Sequence, residues 1–441
     1  FLALREINMV YIKDDIESLD EKIDEEVRVC GWIIRKRSVG KILFWRVLDS
    51  TGEVQVIFKK DEVPDELFET AQRATLLSAV EVKGIVRRAQ TKGGKEIVPK
   101  EVIVTPSDPI LPIDPLNRTS TLAQRLNYRA LDLRDPKVSA IFKIRSMIAQ
   151  AFREYFTSQG FVEIHTPAIS VYSAEGGADV FEVKYFDKNA YLRQSPQLYK
   201  QLAVAGLEKV FEIGPAFRAE KHWTIRHLCE FTSMDIEVAW INDIQPLLEF
   251  AENAIRYIFG KLNENGRRYF EILGVEPPKV PDKPFPKITW EEAMKFIKER
   301  GIAVEGKDLP PAGERVLYEY SKDHYDCEFI WIVDWPFEVR PFYAMKYPNS
   351  ELTQSMDLLY RGLEILTGGK REHRYEILRA QMLQKNLRPE FFGYYLEAFK
   401  YGFPPHGGWA IGLDRITMQI LNLGNIRECT LFPRDPERLE P

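Results

Sequence analysis

The stretch FRAEKHWTIRHLCEF (217–231) holds a dense group of candidate ligand-binding side chains. It continues a predicted strand, VFEIGPAFRAE (210–220), and side chains two residues apart on a strand face the same side. Arg218 and Glu220 would therefore share one face. Such a pair is commonly a solvated surface contact, so a functional interpretation needs support from another part of the chain.

A second segment, GGWAIGLDRITMQIL (407–421), supplies that support. Its three glycines permit close approach of the backbone to a ligand, and Arg415 stands at the start of a predicted helix. A cation at a helix start suits a phosphate group. Arg218 and Arg415 together would hold a triphosphate for in-line attack at phosphorus. The two segments therefore indicate a nucleotide triphosphate site.

Composition excludes several classes of protein. The 441-residue chain has 45% hydrophobic and 29% charged residues, which is ordinary for a globular protein of two or three domains. Its four cysteines lie far apart, with no spacing typical of zinc sites or disulfide frameworks, so we expect a reducing cytoplasm. No stretch approaches the roughly 20 apolar residues of a membrane span, so we expect no membrane partner.

The net charge of −5 argues against a generally basic nucleic-acid binder, but the charge is unevenly distributed. Residues 28–60 carry eight Lys/Arg against two Asp/Glu, and residues 83–100 carry six basic groups against one acidic group. These stretches are either the solvated faces of a small domain or a surface that follows a phosphate backbone. Composition alone leaves both interpretations open.

The chain divides into parts of different pattern. Residues 27–105 predict five short strands, with one helix (65–77) between the third and the fourth, which is the order of an OB barrel. Later strands alternate with helices in a way that favours a largely antiparallel sheet flanked by helices, an α+β fold. We predict an N-terminal extension, an OB-fold domain, a hinge and a larger α+β domain, at residues 1–26, 27–106, 107–136 and 137–441.

Three segments in order resemble the signature motifs of class II aminoacyl-tRNA synthetases. They are the helix and strand that end at Pro167, the FRxE strand with its RHL-x-EF continuation (217–231), and the GGxxxGxxR turn (407–415). The layout of barrel, hinge and catalytic domain is similar to the Asp/Asn/Lys subgroup, and the resemblance covers nearly the whole chain. It implies adenylate formation followed by transfer to tRNA.

Within that subgroup, further segments resemble the aspartyl enzymes of the archaeal and eukaryotic type: QSPQLYK (194–200), AEGG (174–177) and GLEILTGGKREHR (362–374). Physical chemistry agrees, because a buried substrate carboxylate needs cationic partners, which Lys200 and Arg371 could supply. On this reasoning asparagine would leave both cations poorly compensated. The expected substrates are L-aspartate, ATP and tRNA, with Mg²⁺ as the cofactor.

The resemblance also implies roles for individual residues. Arg218 and Arg415 would be catalytic. The aspartate-binding residues would be Glu175, Gln197, Lys200, Arg218, Ser233, Asp235, Thr367 and Arg371. The ATP-binding residues would be Arg218, Glu220, Arg226, His227, Leu228, Phe231, Glu364, Gly412 and Arg415, with Phe231 stacked on adenine. The Mg²⁺ ligands would be Glu364, Thr367 and Asp357.

For the barrel, Phe44 and Gln55 match family positions that contact anticodon bases, and Arg35 and Lys92 are further candidate anticodon contacts. An aromatic residue on a barrel strand is otherwise more often part of the core. Ile34 and the loop around Lys92 depart from the relatives. Whether the partner is tRNA-Asp alone or also tRNA-Asn therefore stays open. The subgroup forms homodimers, so a second copy of the chain is an expected partner.

Other functions compete with the aspartyl ligase. An asparaginyl-tRNA synthetase is its near neighbour. An adenylate-forming, asparagine-synthetase-like paralogue would pass aspartyl-adenylate to ammonia, but such proteins lack the barrel. A non-catalytic RNA-binding protein on the same scaffold would not be expected to retain every charged ligand, whereas this chain has Arg218, Glu220, Glu364 and Arg415.

Overall fold

The computed structural model describes residues 13–90, 93–171, 180–221 and 223–441. The chain divides into two compact units, residues 1–136 and 137–441. Two predicted site residues, Lys92 and Glu175, lie outside the described residues, and so does the 174–177 loop. In the described part of the chain, no helix combines the length and the apolar character that crossing a bilayer requires.

The first unit is built around a closed five-stranded barrel. Its elements are β1 (Glu26–Val39), β2 (Ile42–Leu48), β3 (Glu53–Lys59), α1 (Asp65–Arg73), β4 (Ala79–Arg88), β5 (Lys95–Thr105), α2 (Leu122–Asn127) and α3 (Arg129–Asp132). The barrel closes in the order β1-β2-β3-β5-β4. The predicted OB barrel, with a helix after its third strand, is therefore confirmed. Residues 107–136, predicted as a hinge, contain α2 and α3.

Side chains alternate across the barrel wall because successive residues of a strand point to opposite faces. On β2, Trp45 points inward and is 1% exposed, whereas its neighbour Phe44 is half-buried on the outer side. The Trp45 ring contacts Phe58 at a centroid distance of 4.7 Å, and its indole N–H donates to the carbonyl of Ala71 in α1. Trp45, and not Phe44, therefore fills the barrel core.

The second unit begins with a long helix and continues with alternating strands and helices. Its elements are α4 (Pro136–Ser158), β6 (Val162–Glu163), β7 (Ile169–Ser170), β8 (Glu182–Tyr185), β9 (Lys188–Leu192), α5 (Gln197–Leu207), β10 (Lys209–Phe217), β11 (Glu230–Ala239), α6 (Gln245–Asn265), α7 (Arg267–Leu273), β12 (Lys287–Thr289), α8 (Trp290–Glu299), α9 (Pro311–Tyr325), β13 (Phe329–Val333), β14 (Ser355–Tyr360), β15 (Leu363–Arg371), α10 (Tyr375–Gln384), α11 (Gly393–Leu396), β16 (His406–Gly412) and α12 (Leu413–Ile420).

The main sheet of this unit has the strand order β12-β13-β14-β15-β16-β11-β10-β6. Neighbouring strands from β13 to β10 are antiparallel, and β12 and β6 add a parallel strand at each edge. The predicted antiparallel α+β architecture is therefore confirmed. A separate three-stranded sheet has the order β7-β9-β8.

One face of the main sheet is covered by α4 and α6. Trp409 of β16 is fully buried there, with Phe152 and Phe156 of α4 at ring-centroid distances of 6.1 and 5.6 Å. Its indole N–H donates to the carbonyl of Leu247 in α6 at 3.0 Å. Each buried aromatic or aliphatic side chain contributes about 1.5–3 kcal/mol, so this face anchors the sheet. The opposite face is left for polar side chains.

Several local predictions are wrong. Strand β10 ends at Phe217, so Arg218 and Glu220 lie in the loop that follows it. A strand is also predicted from the sequence RPFYAMKY (340–347), but this segment forms only isolated bridges, because Pro341 interrupts it and cannot donate to a ladder. A single helix is predicted over 389–401, but the segment forms two short 3₁₀ helices, Pro389–Phe392 and Glu397–Lys400, with α11 between them. Strand β14 and helix α9 were not predicted.

Candidate active site

A cavity of about 600 Å³ opens on the polar face of the main sheet. Every predicted catalytic-domain site residue that the structure describes contributes to its lining. These residues are Gln197, Lys200, Arg218, Glu220, Arg226, His227, Leu228, Phe231, Ser233, Asp235, Asp357, Glu364, Thr367, Arg371, Gly412 and Arg415. Residues more than 200 positions apart in sequence therefore meet in one place.

Strand β11 explains why several of them share this face. Phe231, Ser233 and Asp235 alternate with Met234 and Ile236, which are buried in the core beneath the sheet. The period of two predicts that the next residue on the polar face is Glu237, and its carboxylate does lie among the site side chains. Glu237 was missed by the sequence analysis, although the alternation in this strand was a usable signal.

Lys200 reaches the closed end of the cavity from α5. Its side chain is 2% exposed, and its Nζ donates to Oδ1 of Asp235 at 2.9 Å. Nζ also donates to the carbonyls of Ile236 and Trp409 at 3.2 and 3.4 Å. The second carboxylate oxygen of Asp235 accepts a hydrogen bond from Ser233 Oγ at 2.5 Å. The three N–H groups of this ammonium are therefore all engaged by protein acceptors.

Arg371 lies at the same end of the cavity. Its Nε donates to Oε1 of Glu237 at 3.1 Å, and its Nη2 donates to Gln197 Oε1 and to the carbonyl of Gly408 at 3.1 and 2.9 Å. Burial disfavours the charged form of Glu237, but the charges of Arg371 and Lys200 outweigh that effect and lower the pKa of its carboxyl. Glu237 is thus an internal counter-ion for both cations.

Glycine at position 408 is required by this arrangement. A Cβ there would lie 2.1 Å from the carbonyl oxygen of Ile236 and 2.3 Å from Oε2 of Glu237. Gly408 therefore makes room for the internal carboxylate, and its own carbonyl accepts from Arg371. Position 408 lies within strand β16, beside the two cations. Gly412 stands at the N-terminus of α12 and lines the cavity.

The expectation that Lys200 and Arg371 depend on a substrate carboxylate for charge compensation is wrong. Lys200 and Arg371 are not uncompensated before a substrate binds, since Asp235 and Glu237 neutralise their formal charges. Among the described residues, however, Nη1 of Arg371 has no hydrogen-bond acceptor. The oxygens of both carboxylates already accept hydrogen bonds. Nη1 of Arg371 is therefore a donor that a ligand at this end of the cavity could engage.

Arg218 and Arg415 lie in a wider part of the cavity. The Arg218 guanidinium stacks over the Phe231 ring at 5.5 Å and lies 3.6 Å from Oε1 of Glu220. Arg415, in the first turn of α12, donates from Nη1 to the carbonyl of Glu364 at 3.0 Å, with that residue's carboxylate 3.4 Å away. Both predicted catalytic arginines thus keep part of their side chains accessible to a ligand.

The loop between β10 and β11 carries Arg226 and His227. Arg226 pairs with Oε2 of Glu314, a buried residue of α9, at a distance of 2.9 Å. Burial raises the pKa of Glu314, although the charges of Arg226 and Arg415 oppose the shift. His227 lies 2.6 Å from Thr224 Oγ1, and burial together with the Arg415 charge lowers its pKa to about 4. This imidazole is therefore neutral at physiological pH.

Two carboxylates, Asp357 and Glu364, enter the cavity from adjacent strands. A β-bulge at Ile365 shifts the register of β14 and β15, so that Glu364 and Thr367, three residues apart, both line the cavity. Although 37% of the Glu364 side-chain surface opens onto the cavity, the surrounding protein and the nearby charge of Asp357 raise its pKa to about 7. The two acidic groups therefore repel each other.

Comparison with known proteins agrees with this site. Residues 121–436 match the family described as tRNA synthetases class II (D, K and N), and residues 27–105 match an OB-fold nucleic acid binding domain. The first match spans more than half of the chain. The chain belongs to the class II aminoacyl-tRNA synthetases. The family predicted from three ordered motifs is thereby confirmed, and the family uses ATP.

This synthetase is similar over nearly its whole length to named relatives. It is 47% identical over 438 residues to the aspartate--tRNA(Asp/Asn) ligase of Aeropyrum pernix, which covers 98% of this chain and 99% of that relative. It is 43% identical over 431 residues to the aspartate--tRNA(Asp) ligase of Pyrococcus furiosus, with coverage of 96% and 98%. Among solved structures, the asparaginyl-tRNA synthetase of Pyrococcus horikoshii complexed with asparaginyl-adenylate gives a TM-score of 0.89 at 34% identity, over 97% of this chain and 99% of that chain.

The barrel of the synthetase presents a polar and aromatic outer surface on β1 to β3. Arg46 pairs in register with Arg35 on one side and with Gln55 on the other, and Phe44 is the next residue on the same face of β2. Gln55 donates to Glu96 Oε2 at 2.8 Å. Three of the four predicted anticodon contacts, Phe44, Gln55 and Arg35, therefore share one surface.

Proposed function

We propose that this synthetase activates L-aspartate with ATP and transfers it to the 3′ end of tRNA-Asp. The carrying observation is the donor set at the closed end of the cavity, where Lys200 and Arg371 are held by Asp235 and Glu237. The two relatives named as aspartate ligases, at 47% and 43% identity, support the same activity.

Hydrogen-bond capacity favours aspartate over asparagine at this end. A side-chain carboxylate offers only acceptors, which suit the available Nη1 donors of Arg371. An asparagine amide would offer Nη1 a neutral oxygen, which makes a weaker hydrogen bond than a carboxylate, and its N–H₂ group would have to share the oxygens of Asp235 and Glu237 with their present donors. An unsatisfied buried donor costs about 1–3 kcal/mol, and polar mismatches of this kind separate substrates strongly.

Adenylation then needs positioning and charge neutralisation more than acid–base groups. The aspartate α-carboxylate attacks the α-phosphorus of ATP, a new P–O bond forms, and pyrophosphate leaves. Arg218 would bind the α-phosphate and the attacking carboxylate, and Arg415 would bind the departing phosphates. Phe231 and Leu228 would border the adenosine. Holding the reactants in line and neutralising developing charge supplies most of the rate enhancement in such transfers.

Transfer to tRNA completes the reaction. A terminal ribose hydroxyl of tRNA attacks the carbonyl carbon of aspartyl-adenylate, and AMP leaves with the phosphate oxygen. The outer barrel surface with Phe44 and Arg35 supports tRNA recognition at the anticodon, because aromatic stacking and backbone charge are how OB folds bind single strands. This barrel argues against the ammonia-dependent paralogue. We propose that Glu175 binds the substrate α-ammonium.

The acidic corner of the cavity, formed by Asp357, Glu364 and Thr367, fits Mg²⁺. Among the residues that the structure describes, no group of three His, Cys, Asp or Glu side chains could hold a metal alone. Mg²⁺ commonly uses one or two carboxylates together with substrate phosphates, which matches Asp357 and Glu364. A buried Asp357 oxygen also lacks a partner among the described residues. Asp357, Glu364 and Thr367 would hold the ion, which when bound neutralises phosphate charge.

A second copy of the chain is the proposed protein partner. The segment after α4 exposes Val162, Ile169 and Val171, with 43–56% of each residue accessible. This strip continues the first family motif and would be covered in a homodimer. Molar mass in solution, measured by light scattering, tests the dimer. We also propose that the enzyme acts in the cytoplasm, with translation.

Amino-acid-dependent ATP–pyrophosphate exchange tests the proposed substrate. We expect exchange with aspartate to exceed exchange with asparagine by at least about 100-fold in kcat/KM, which corresponds to about 2.7 kcal/mol. An Arg371→Lys variant should lose activity with aspartate without gaining it with asparagine. Exchange driven by asparagine alone would replace the proposal with an asparaginyl enzyme, as in the Pyrococcus horikoshii structure.

A further inference from the structure

Arg340 joins two side chains that were assigned to the magnesium site. Its Nη2 donates to Oδ2 of Asp357, and its Nη1 donates to Oγ1 of Thr367 at 3.1 Å. Asp357 and Thr367 are direct neighbours across strands β14 and β15. One planar guanidinium therefore fixes two groups of the acidic corner relative to each other.

Trp335 holds Arg340 in place. The guanidinium carbon lies 4.1 Å from the centroid of the Trp335 ring, which is close for a cation–π contact. Trp335 is itself 2% exposed, and its indole N–H donates to the carbonyl of Ile332 at 3.1 Å. Its carbonyl accepts from the backbone N–H and the hydroxyl of Thr353, both at 2.8 Å. Arg340 is therefore preorganised before any ligand arrives.

Two of the five N–H donors of Arg340 are committed to the side chains of Asp357 and Thr367. Nη1 and Nη2 are engaged by Thr367 and Asp357, and Nε is buried without a hydrogen-bond partner in the described part of the chain. By contrast, Oδ1 of Asp357 is buried and has no partner among the described residues. A buried carboxylate oxygen without a partner is costly, which points to a ligand that supplies the contact.

The formal charges of this corner cancel. When ionised, Asp357 and Glu364 are negative, whereas Arg340 and Arg415 are positive and contact them. A corner without net charge attracts a divalent cation weakly, but bound nucleotide phosphates would add negative charge. Binding of the cation here is therefore expected to depend on the nucleotide.

We propose that Arg340 is a positioning residue for the magnesium–nucleotide complex, holding Asp357 and Thr367 so that Asp357 Oδ1 and the Glu364 carboxylate meet the cation. Arg340 itself does not contact the phosphates. This inference rests on the proposed magnesium site and adds a residue from outside the three sequence motifs. Arg340 was given no role from the sequence, because its segment was predicted as the start of a strand but is irregular around two prolines.

The test is the coupling between magnesium and nucleotide binding. The dissociation constant of α,β-methylene-ATP is measured by calorimetry on the full chain, once with saturating Mg²⁺ and once with EDTA. For the unmodified protein we expect Mg²⁺ to tighten binding. Arg340→Lys keeps the charge but loses the planar fork, and we expect it to reduce this tightening by about tenfold or more, with affinity in EDTA unchanged.

A matched control is Arg361→Lys. Arg361 also pairs with a carboxylate, Glu328, at 2.9 and 3.1 Å, and stacks over the Tyr360 ring at 5.0 Å, but it does not line the cavity. We expect this variant to bind as the unmodified protein does. If Arg340→Lys does not fold, Trp335→Phe weakens the ring contact that holds Arg340 without altering a proposed metal ligand, and it should lower the same coupling.

Three results would overturn the inference. Unchanged coupling in Arg340→Lys would show that Arg340 does not position the metal ligands. An equal loss of affinity in EDTA and in Mg²⁺ would show a direct phosphate contact or a purely structural role. No effect of Mg²⁺ on the unmodified protein would remove the proposed magnesium site itself, while leaving the aspartate assignment to its own exchange assay.

Discussion

Glu237 lies between the two cations of the amino-acid pocket: its Oε1 accepts from Arg371 Nε at 3.1 Å, and its Oε2 lies 3.4 Å from Lys200 Nζ. The carboxylate is fully buried. Two buried cations close together would repel each other without it, so Glu237 allows both to remain charged at the end of the cavity.

Replacing Glu237 with Gln should therefore destabilise the second unit. Removing one partner of a buried ion pair leaves uncompensated charge and costs about 3–5 kcal/mol. We expect the free energy of unfolding in urea to fall by that amount. Glu249→Gln, an exposed substitution on α6, is the control and should change stability by less than about 0.5 kcal/mol. Equal stability of both variants would contradict the counter-ion role.

Lys200 and Arg371 were predictable from the sequence for two reasons. Both lie in segments that resemble the family, and a buried substrate carboxylate needs cationic partners. Their partners were harder to find. Asp235 was named, but Glu237 required extending the alternation of β11 by one more step. Arg371 reaches Glu237 only because Gly408 leaves space, which no motif spacing describes. Contacts between strands distant in sequence depend on register, and register is not visible in one strand alone.

Replacing Glu314 with Gln should weaken the binding of ATP and leave the binding of aspartate unchanged. Its carboxylate anchors Arg226, which lines the cavity, at 2.9 Å. Glu314→Gln removes the charge while keeping the shape, so the guanidinium loses its fixed position. We expect the KM for ATP in pyrophosphate exchange to rise about tenfold, which corresponds to about 1.4 kcal/mol, with the KM for aspartate unchanged.

The control for that variant is Glu319→Gln, which lies on the exposed side of the same helix, α9. It should leave both KM values as they are. A rise in the KM for aspartate that matches the rise for ATP would contradict a specific anchoring of Arg226 and would indicate a general loosening of α9.

His406 should make stability depend on pH below neutrality. Its Nδ1–H donates to the carbonyl of Pro404 and its Nε2 accepts from Gln201, so the buried ring is neutral. Burial lowers its pKa from 6.5 to about 4. The unfolded chain then binds more protons between these values, so stability is present above about pH 6.5 and is lost as the pH falls toward 4, by on the order of 3 kcal/mol.

The measurement is urea unfolding at a series of pH values for the unmodified protein and for His406→Asn, in which the amide can still donate to Pro404. Carboxylates titrate in the same range in both proteins, so only the difference between the two curves reports His406. A difference that does not change between pH 7 and pH 4 would show that the imidazole has the same pKa in the native and unfolded states, which would contradict the neutral buried ring.

Phe44→Ala should weaken tRNA charging without affecting adenylation. Phe44 lies on the outer face of β2, next to Arg46, and base–aromatic stacking contributes about 1–3 kcal/mol per base. We expect the KM for tRNA in aminoacylation to rise about tenfold, while pyrophosphate exchange is unchanged. Ile103→Ala, an exposed apolar residue of β5, is the control. An unchanged KM for tRNA in Phe44→Ala would contradict the proposed anticodon surface.

The acidic corner shows why other parts of the site could not be predicted. Family resemblance placed Glu364 and Thr367 in one site, although residues that are three positions apart on a regular strand lie on opposite faces. The bulge at Ile365 resolves this, and bulges leave little trace in sequence. Arg340 lies in an irregular segment where no periodicity applies. The regular elements were therefore predictable, and the irregular contacts were not.

Aminoacylation of tRNA-Asp and tRNA-Asn transcripts, each offered radiolabelled aspartate or asparagine, is the decisive measurement for the proposed activity. We expect aspartate, and not asparagine, to become attached to tRNA-Asp. Label on tRNA-Asn from aspartate would add a second acceptor, as in the name of the Aeropyrum pernix relative. Asparagine attached to tRNA-Asn, with no aspartate attached to either tRNA, would contradict the proposed aspartate activity and would indicate an asparaginyl enzyme.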